Sequence, residues 1–160
     1  MNARRKRIWF DAAIWTASIV VTALLLADAA SAEGRRYTID NATYRNECGS
    51  CHVAFPPALL GAGSWRAVMQ GLDRHFGVDA SVEAPARAEI AAYLQRAAGP
   101  ARKEAGTLRI SETTWFRREH DEVSPRSWKA AAVKSAANCG ACHTQADRGD
   151  FSERNIRIPR

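Results

Sequence analysis

Two copies of one five-residue pattern constrain this chain more than anything else in it: Cys48-Gly49-Ser50-Cys51-His52 and Cys139-Gly140-Ala141-Cys142-His143. They use all four cysteines and two of the four histidines, leaving His75 and His120 over. In a Cys-x-x-Cys-His motif two thiols add across the vinyl groups of a porphyrin, and the adjoining imidazole binds its iron from the proximal side. On a helix or tight turn, positions i, i+3 and i+4 share a face, so both sulfurs and the ring converge on one flat ligand. Two covalently attached haem c groups are therefore expected, held by Cys48, Cys51, His52, Cys139, Cys142 and His143, with His75 and His120 available for the distal positions. Two disulfides or a zinc site would use the same cysteines, but neither needs a histidine directly after each pair. Zinc ribbons also bring their halves within about 15 to 20 residues, whereas 87 residues separate Cys51 from Cys139.

The amino terminus agrees with an oxidising, exported setting. Arg4-Arg5-Lys6-Arg7 is a cationic start, the run from Ile14 to Ala27 is almost wholly apolar or small, and Ala30-Ser31-Ala32 resembles a cleavage site. Residues 1–32 are thus expected to be a signal peptide for general secretion to the periplasm. The alternative is an uncleaved anchor, since Asp11 and Asp28 bracket a segment barely long enough to span a membrane when tilted.

Charge argues against a polyanion partner. The full chain has 23 basic and 17 acidic residues; without the leader the balance is 19 to 15. Two haems add about four propionates, which bring the assembled protein close to neutral. No basic stripe with interleaved aromatics is present, so nucleic-acid binding is not expected.

After the leader, the Gly99-Pro100 pair and the polar residues behind it divide the chain, with residues 99–106 as a linker between a haem domain at 33–98 and a second haem-binding domain at 107–160. Each half is too small to bury an adequate core of ordinary side chains, so the porphyrin is expected to supply much of it. In the first half, Tyr44, Cys48, Cys51 and His52 follow a helical face into the motif, and a proline-containing loop from Phe55 to Gly61 follows. Ser64 then reads as the cap of a helix whose stripe of Trp65, Val68, Met69 and Leu72 reaches His75 three residues on. A third helix runs from about Pro85 to Ala98 with Ile90, Tyr93, Leu94 and Ala97 on one face. In the second half, a helix opening near Ser111 carries Trp115, Phe116 and His120, and Ser124-Pro125 breaks it. Another helix from about Ser127, with Trp128, Ala131, Ala132, Ser135 and Ala136 on one side, continues into Cys139. A short polar tail, 144–160, ends the chain.

The first half resembles class I cytochromes c: Tyr44 four residues before the first cysteine, the proline loop after the motif, and Glu89-Ile90-Ala91-Ala92-Tyr93-Leu94 in the closing helix, which in that family packs across the N-terminal helix. It departs from them at the sixth ligand, usually methionine. The only methionine after the leader is Met69, which reads as a core residue on a helical stripe. The second half lacks room for a closing helix and is not a second class I domain. Over nearly its whole length the chain resembles the small dihaem cytochromes c of bacterial periplasmic redox systems. The likeness lies in the segments 48–57, 64–77, 118–123 and 137–146, and in the run from Gly149 to Phe151. The implied fold is all-α, a class I cytochrome c-like N-terminal haem domain plus a smaller, mostly helical C-terminal one. The resemblance implies bis-histidine ligation of both irons, with His52 and His143 proximal and His75 and His120 distal. Which distal histidine serves which haem follows only from the family and from nearness in sequence, and a crosswise arrangement stays open.

What the resemblance implies for function is electron transfer by a monomer, with a membrane b-type cytochrome as donor and a small monohaem cytochrome as acceptor. Iron held by two imidazoles has no vacant position for substrate, and replacing methionine by histidine removes a ligand associated with a raised potential. An electron carrier without enzymatic activity is expected. A dihaem peroxidase or reductase, or a haem-based sensor, would instead require His75 or His120 to be displaceable.

Overall fold

Helices and tight turns supply all the regular structure among the residues that the computed structural model describes, 36–100 and 106–159; the remaining backbone pairing there consists of isolated bridges. The leader or anchor expected at 1–32 lies outside them, as does most of the linker at 99–106.

Helix α1 (Ala42–Cys48) begins where the Asn41 side chain accepts the Tyr44 N–H at 2.6 Å. It ends at Cys48, so the rest of the first motif is a turn and not the continued helical face expected; Gly49 and Ser50 are poor helix formers. Helix α2 (Ala62–Gln70) starts earlier than expected, at Gly61, and the expected cap Ser64 is buried inside it. Trp65 and Met69 do point inward, but Gly71 stops the helix. A 3-10 turn (Leu72–Arg74) follows, so His75 is not on the extended helical stripe predicted for it. His75 instead opens a tight turn through Phe76 and Gly77, at φ 52° and 104°, closed by the Val78 N–H on the His75 carbonyl at 3.2 Å.

Helix α3 (Ala84–Ala97) has Pro85 in its first turn and buries Ile90, Tyr93 and Leu94, as their spacing requires. Beyond its end the Gly99 N–H donates to the Leu60 carbonyl at 2.9 Å, and a Cβ there would strike the carbonyl of Ala58. α1 is tied to α3 by Asn41 and Thr43, which donate to the Glu89 carboxylate at 2.7 and 3.0 Å. α2 is tied to α3 by Gln95 on the Ala62 carbonyl at 2.9 Å and Arg87 on the Met69 carbonyl at 3.1 Å.

The second half is less helical than its pattern suggested. After a 3-10 turn (Ile110–Glu112), α4 (Thr114–Glu119) is capped by Thr113, whose hydroxyl accepts the Phe116 N–H at 3.0 Å. Then α5 (Pro125–Trp128) lasts four residues, and the helix expected to run on to Cys139 is a series of turns with Lys134 at φ 62°. A lone alanine-rich helix of that length is marginal in water, and the turns tuck Val133 inside. The second motif sits on a 3-10 turn (Cys139–Ala141). The segment read as a polar tail folds back over it: the Thr144 N–H donates to Asn155 O at 3.1 Å and the Arg157 N–H to Cys142 O at 2.8 Å. The start of the described chain joins the same layer through the Tyr37 N–H on Gly149 O at 2.9 Å and an Arg36–Asp150 ion pair at 3.1 Å.

One apolar cluster gathers Tyr44, Leu60, Trp65, Met69, Leu72, Ile90, Tyr93 and Leu94 from the first half with Ile110 and Phe116 from the second. The described residues, 36–100 and 106–159, fall in a single compact unit.

Candidate functional site

The first centre is assembled from the end of α1, the turn after it, and the tight turn beyond α2. Cys48 closes α1, and His52 follows in the turn with its ring stacked on Phe55, centroids 4.5 Å apart at 17°. His52 Nδ1 lies 2.7 Å from the Val53 carbonyl. A carbonyl only accepts, so Nδ1 carries the proton and Nε2 presents its lone pair. The ring facing it is that of His75, with centroids 6.4 Å apart and planes at 21°. The loop beneath is pinned by the Tyr44 hydroxyl donating to the Phe55 carbonyl at 2.6 Å and by the buried Trp65 indole N–H on the Pro57 carbonyl at 2.7 Å.

The second centre is built the same way from different parts. His120 ends α4 with its ring on Phe116, centroids 4.0 Å apart at 19°, and its Nδ1 bonds the Phe116 carbonyl at 2.9 Å, which again leaves Nε2 free. His143 stands 6.1 Å from it between centroids, at 78°, backed by Phe151 at 5.2 Å. The second motif also approaches the residue just after the first: a Cβ on Gly140 would meet the Val53 side chain at 3.9 Å.

Electrostatics suit metal ligation by neutral imidazoles. Burial, the charge of His52 and then that of Arg109 hold His75 below its ordinary value; burial and then His120 do the same for His143. No disulfide joins any of the four cysteines, and burial pushes the Cys48 and Cys139 thiols up to about 11. Among the described residues no group of three or more His, Cys, Asp or Glu converges as a cation site, so the two Cys-x-x-Cys halves do not build a tetrahedral zinc centre.

The residues present fit haem. Two imidazoles on opposite sides of one metal, with metal–nitrogen bonds of about 2 Å, have ring centres roughly 6 Å apart, and both pairs meet that spacing. Two buried polar atoms, His143 Nδ1 and Trp115 Nε1, have no hydrogen-bond partner among the described residues. Met69 is buried in the apolar cluster, its backbone carbonyl engaged by Arg87.

The family description for dihaem cytochrome c matches residues 44–151. The chain belongs to the dihaem cytochrome c family. Like other dihaem cytochromes c, it is an electron-transfer protein with two covalently bound haem c groups and an all-α fold. It is similar to the diheme cytochrome c from Rhodobacter sphaeroides, at 45% identity over 72% of this chain and 99% of that one, with a TM-score of 0.64. A crystal structure of the protein purified from that organism gives 46% identity over 71% and 99%, and again 0.64. The diheme cytochrome type c from Shewanella baltica is 39% identical over 76% of this chain and 95% of that one, with a TM-score of 0.67. No curated protein compared with it matches. No helix among the described residues is long and apolar enough to cross a membrane.

Phe55, Phe76, Arg109 and Phe151 were given no role at the site by the sequence reading, although the loop from Phe55 and the runs ending near Phe76 and Phe151 were noted. Phe55 lies in an irregular loop without periodicity, and Arg109 and Phe151 reach their histidines only through the fold. The i, i+4 spacing of Phe116 and His120 was the one local signal of ring stacking.

Proposed function

We propose that this dihaem cytochrome c is a monomeric periplasmic electron carrier that takes electrons from a membrane b-type cytochrome and passes them to a small monohaem cytochrome. His52 and His75 would hold the iron of the first haem, and His143 and His120 that of the second. The observation that carries this reading is the ring spacing of 6.4 and 6.1 Å in the two histidine pairs, which fits one iron between each. With two imidazoles on each iron, neither centre would offer a place for substrate, which makes the protein a carrier in this reading and not a catalyst. The donor and acceptor classes rest on the family resemblance.

Each haem, when bound, stores one electron by changing the oxidation state of its iron. The chain's own part is to orient ligands and keep water away. The Val53 and Phe116 carbonyls fix the tautomers of His52 and His120 and make both rings stronger donors. Phe55 and Phe116 cover the outer faces of those rings, which limits the reorganisation of solvent when charge changes. The close pass of Gly140 by Val53 brings the second attachment motif up to the residue that follows the first.

Spectra of the reduced holoprotein with and without carbon monoxide test the closed coordination. No change is expected for the wild type, and one bound ligand per protein for His75→Gly or His120→Gly. Carbon monoxide binding by the wild type would favour a reductase or sensor, and a sulfur-to-iron charge-transfer band would implicate Met69. Rapid mixing with candidate partner cytochromes tests donor and acceptor. Electron exchange no faster than with an unrelated cytochrome would remove the partner assignment.

A further inference from the structure

Arg109 precedes the 3-10 turn Ile110–Glu112, and that base is rigid: Ile110 is buried in the common core, and its carbonyl accepts the Thr113 hydroxyl at 2.8 Å. From there the guanidinium reaches residues of the first centre and lies over the Phe76 ring, 4.0 Å from its centroid. Phe76 in turn packs on the distal ring of His75, with centroids 4.7 Å apart at 59°. Phe76 holds φ at 52°, a left-handed conformation that bulky side chains rarely adopt and that persists only where surroundings enforce it. Phe76 is 45% exposed; the turn closed by the Val78 N–H on the His75 carbonyl, the cation on one face of the ring and the imidazole beside it hold it there.

We propose that Arg109, acting through Phe76, is a positioning residue of the first haem that steadies His75 and keeps a permanent positive charge beside that iron, raising its reduction potential. This rests on His75 being the distal ligand. Uptake of one electron, delivered by the donor protein, lowers the charge at the iron by one, and a fixed cation nearby favours the less positive state. Glu112, 3.5 Å from the Arg109 Nε, offsets part of that charge, and both side chains are open to solvent, so screening keeps the effect moderate. A three- to tenfold change in the reduction equilibrium is expected, tenfold being about 59 mV for one electron.

A spectroelectrochemical titration of the holoprotein resolves the two midpoints. His75→Met identifies the first haem as the one whose midpoint rises. Arg109→Gln is then expected to lower that same midpoint by three- to tenfold and to move the other by less than twofold. Arg109→Lys should retain most of the wild-type value, and Glu112→Gln should shift the first midpoint upward. An unchanged first midpoint in Arg109→Gln, or equal shifts of both, would overturn the proposal while leaving the response to His75→Met intact. A His75→Met protein with neither midpoint moved would instead bring down the ligand reading, and this inference with it.

Discussion

Replacing Tyr44 by phenylalanine removes one oxygen atom and tests how far the loop after the first motif depends on it. The Tyr44 side chain is 2% exposed, and its hydroxyl donates to the Phe55 carbonyl at 2.6 Å. Phe55 is the residue stacked on His52 at 4.5 Å. A typical hydrogen bond contributes about 1 kcal/mol net, and an acceptor left buried without a partner costs about 1–3 kcal/mol. The carbonyl lies at the edge of the core and regains some solvent once released, so a loss of about 1–2 kcal/mol is expected. For a compact unit of this size that corresponds to a fall in Tm of roughly 3–8 °C. The ring contacts with Tyr93 and Trp65, at 5.5 and 6.5 Å between centroids, are kept, so the effect belongs to the hydroxyl. Burial raises the phenol pKa far above its usual value of 10.0, so the hydroxyl stays protonated through the neutral range and the loss should not vary between about pH 6 and 9. Urea unfolding of the holoprotein measures the stability, and circular dichroism in the Soret region reports the His52 surroundings. Unchanged stability with an unchanged Soret signal would refute the claim that this bond holds the loop against the first centre.

Other perturbations separate the parts of the fold. Denatured holoprotein should retain both haems and offer no thiol to a titrating reagent; a reactive thiol would mean an unattached haem position. Replacing Cys139 and Cys142 with alanine should leave residues up to 98 folded with their haem, while 107–160 becomes protease-sensitive; limited proteolysis with mass spectrometry reads this, and a protected haem-free second half would sink the idea that porphyrin forms its core. Gly149→Ala places a Cβ against the Tyr37 carbonyl at a residue with φ 71°. It should cost more than about 1 kcal/mol and alter the second haem's spectrum before the first's, and a spectrum changed only at the first haem would contradict this layering. Met69→Leu conserves volume in the core and should cost less than about 1.5 kcal/mol with no change in visible absorbance; altered iron coordination would restore methionine as a ligand candidate.

The expected attachment chemistry could be read from the sequence because it is local: two sulfurs and an imidazole would have to converge on one porphyrin, and five consecutive residues can supply them. α3 was equally legible, since Pro85 starts it, Gly99-Pro100 stops it, and Ile90, Tyr93 and Leu94 mark its buried face. His75 shows where local reasoning ends. Its distance along the apolar stripe suggested a helical position, but Gly71 breaks the helix, and a tight turn presents the ring to His52. Residues 129–138 show the same limit: alanine favours helix, yet without a packed face the segment gains more by turning Val133 inward. That His75 faces His52 and His120 faces His143 was a matter of family likeness and nearness until the rings could be measured. Only the tertiary structure decided that the tail folds over Cys142, that Ile110 and Phe116 share a core with the first half, and that Arg109 crosses to Phe76. Such contacts depend on where distant segments meet, and no periodicity in a sequence records where that is.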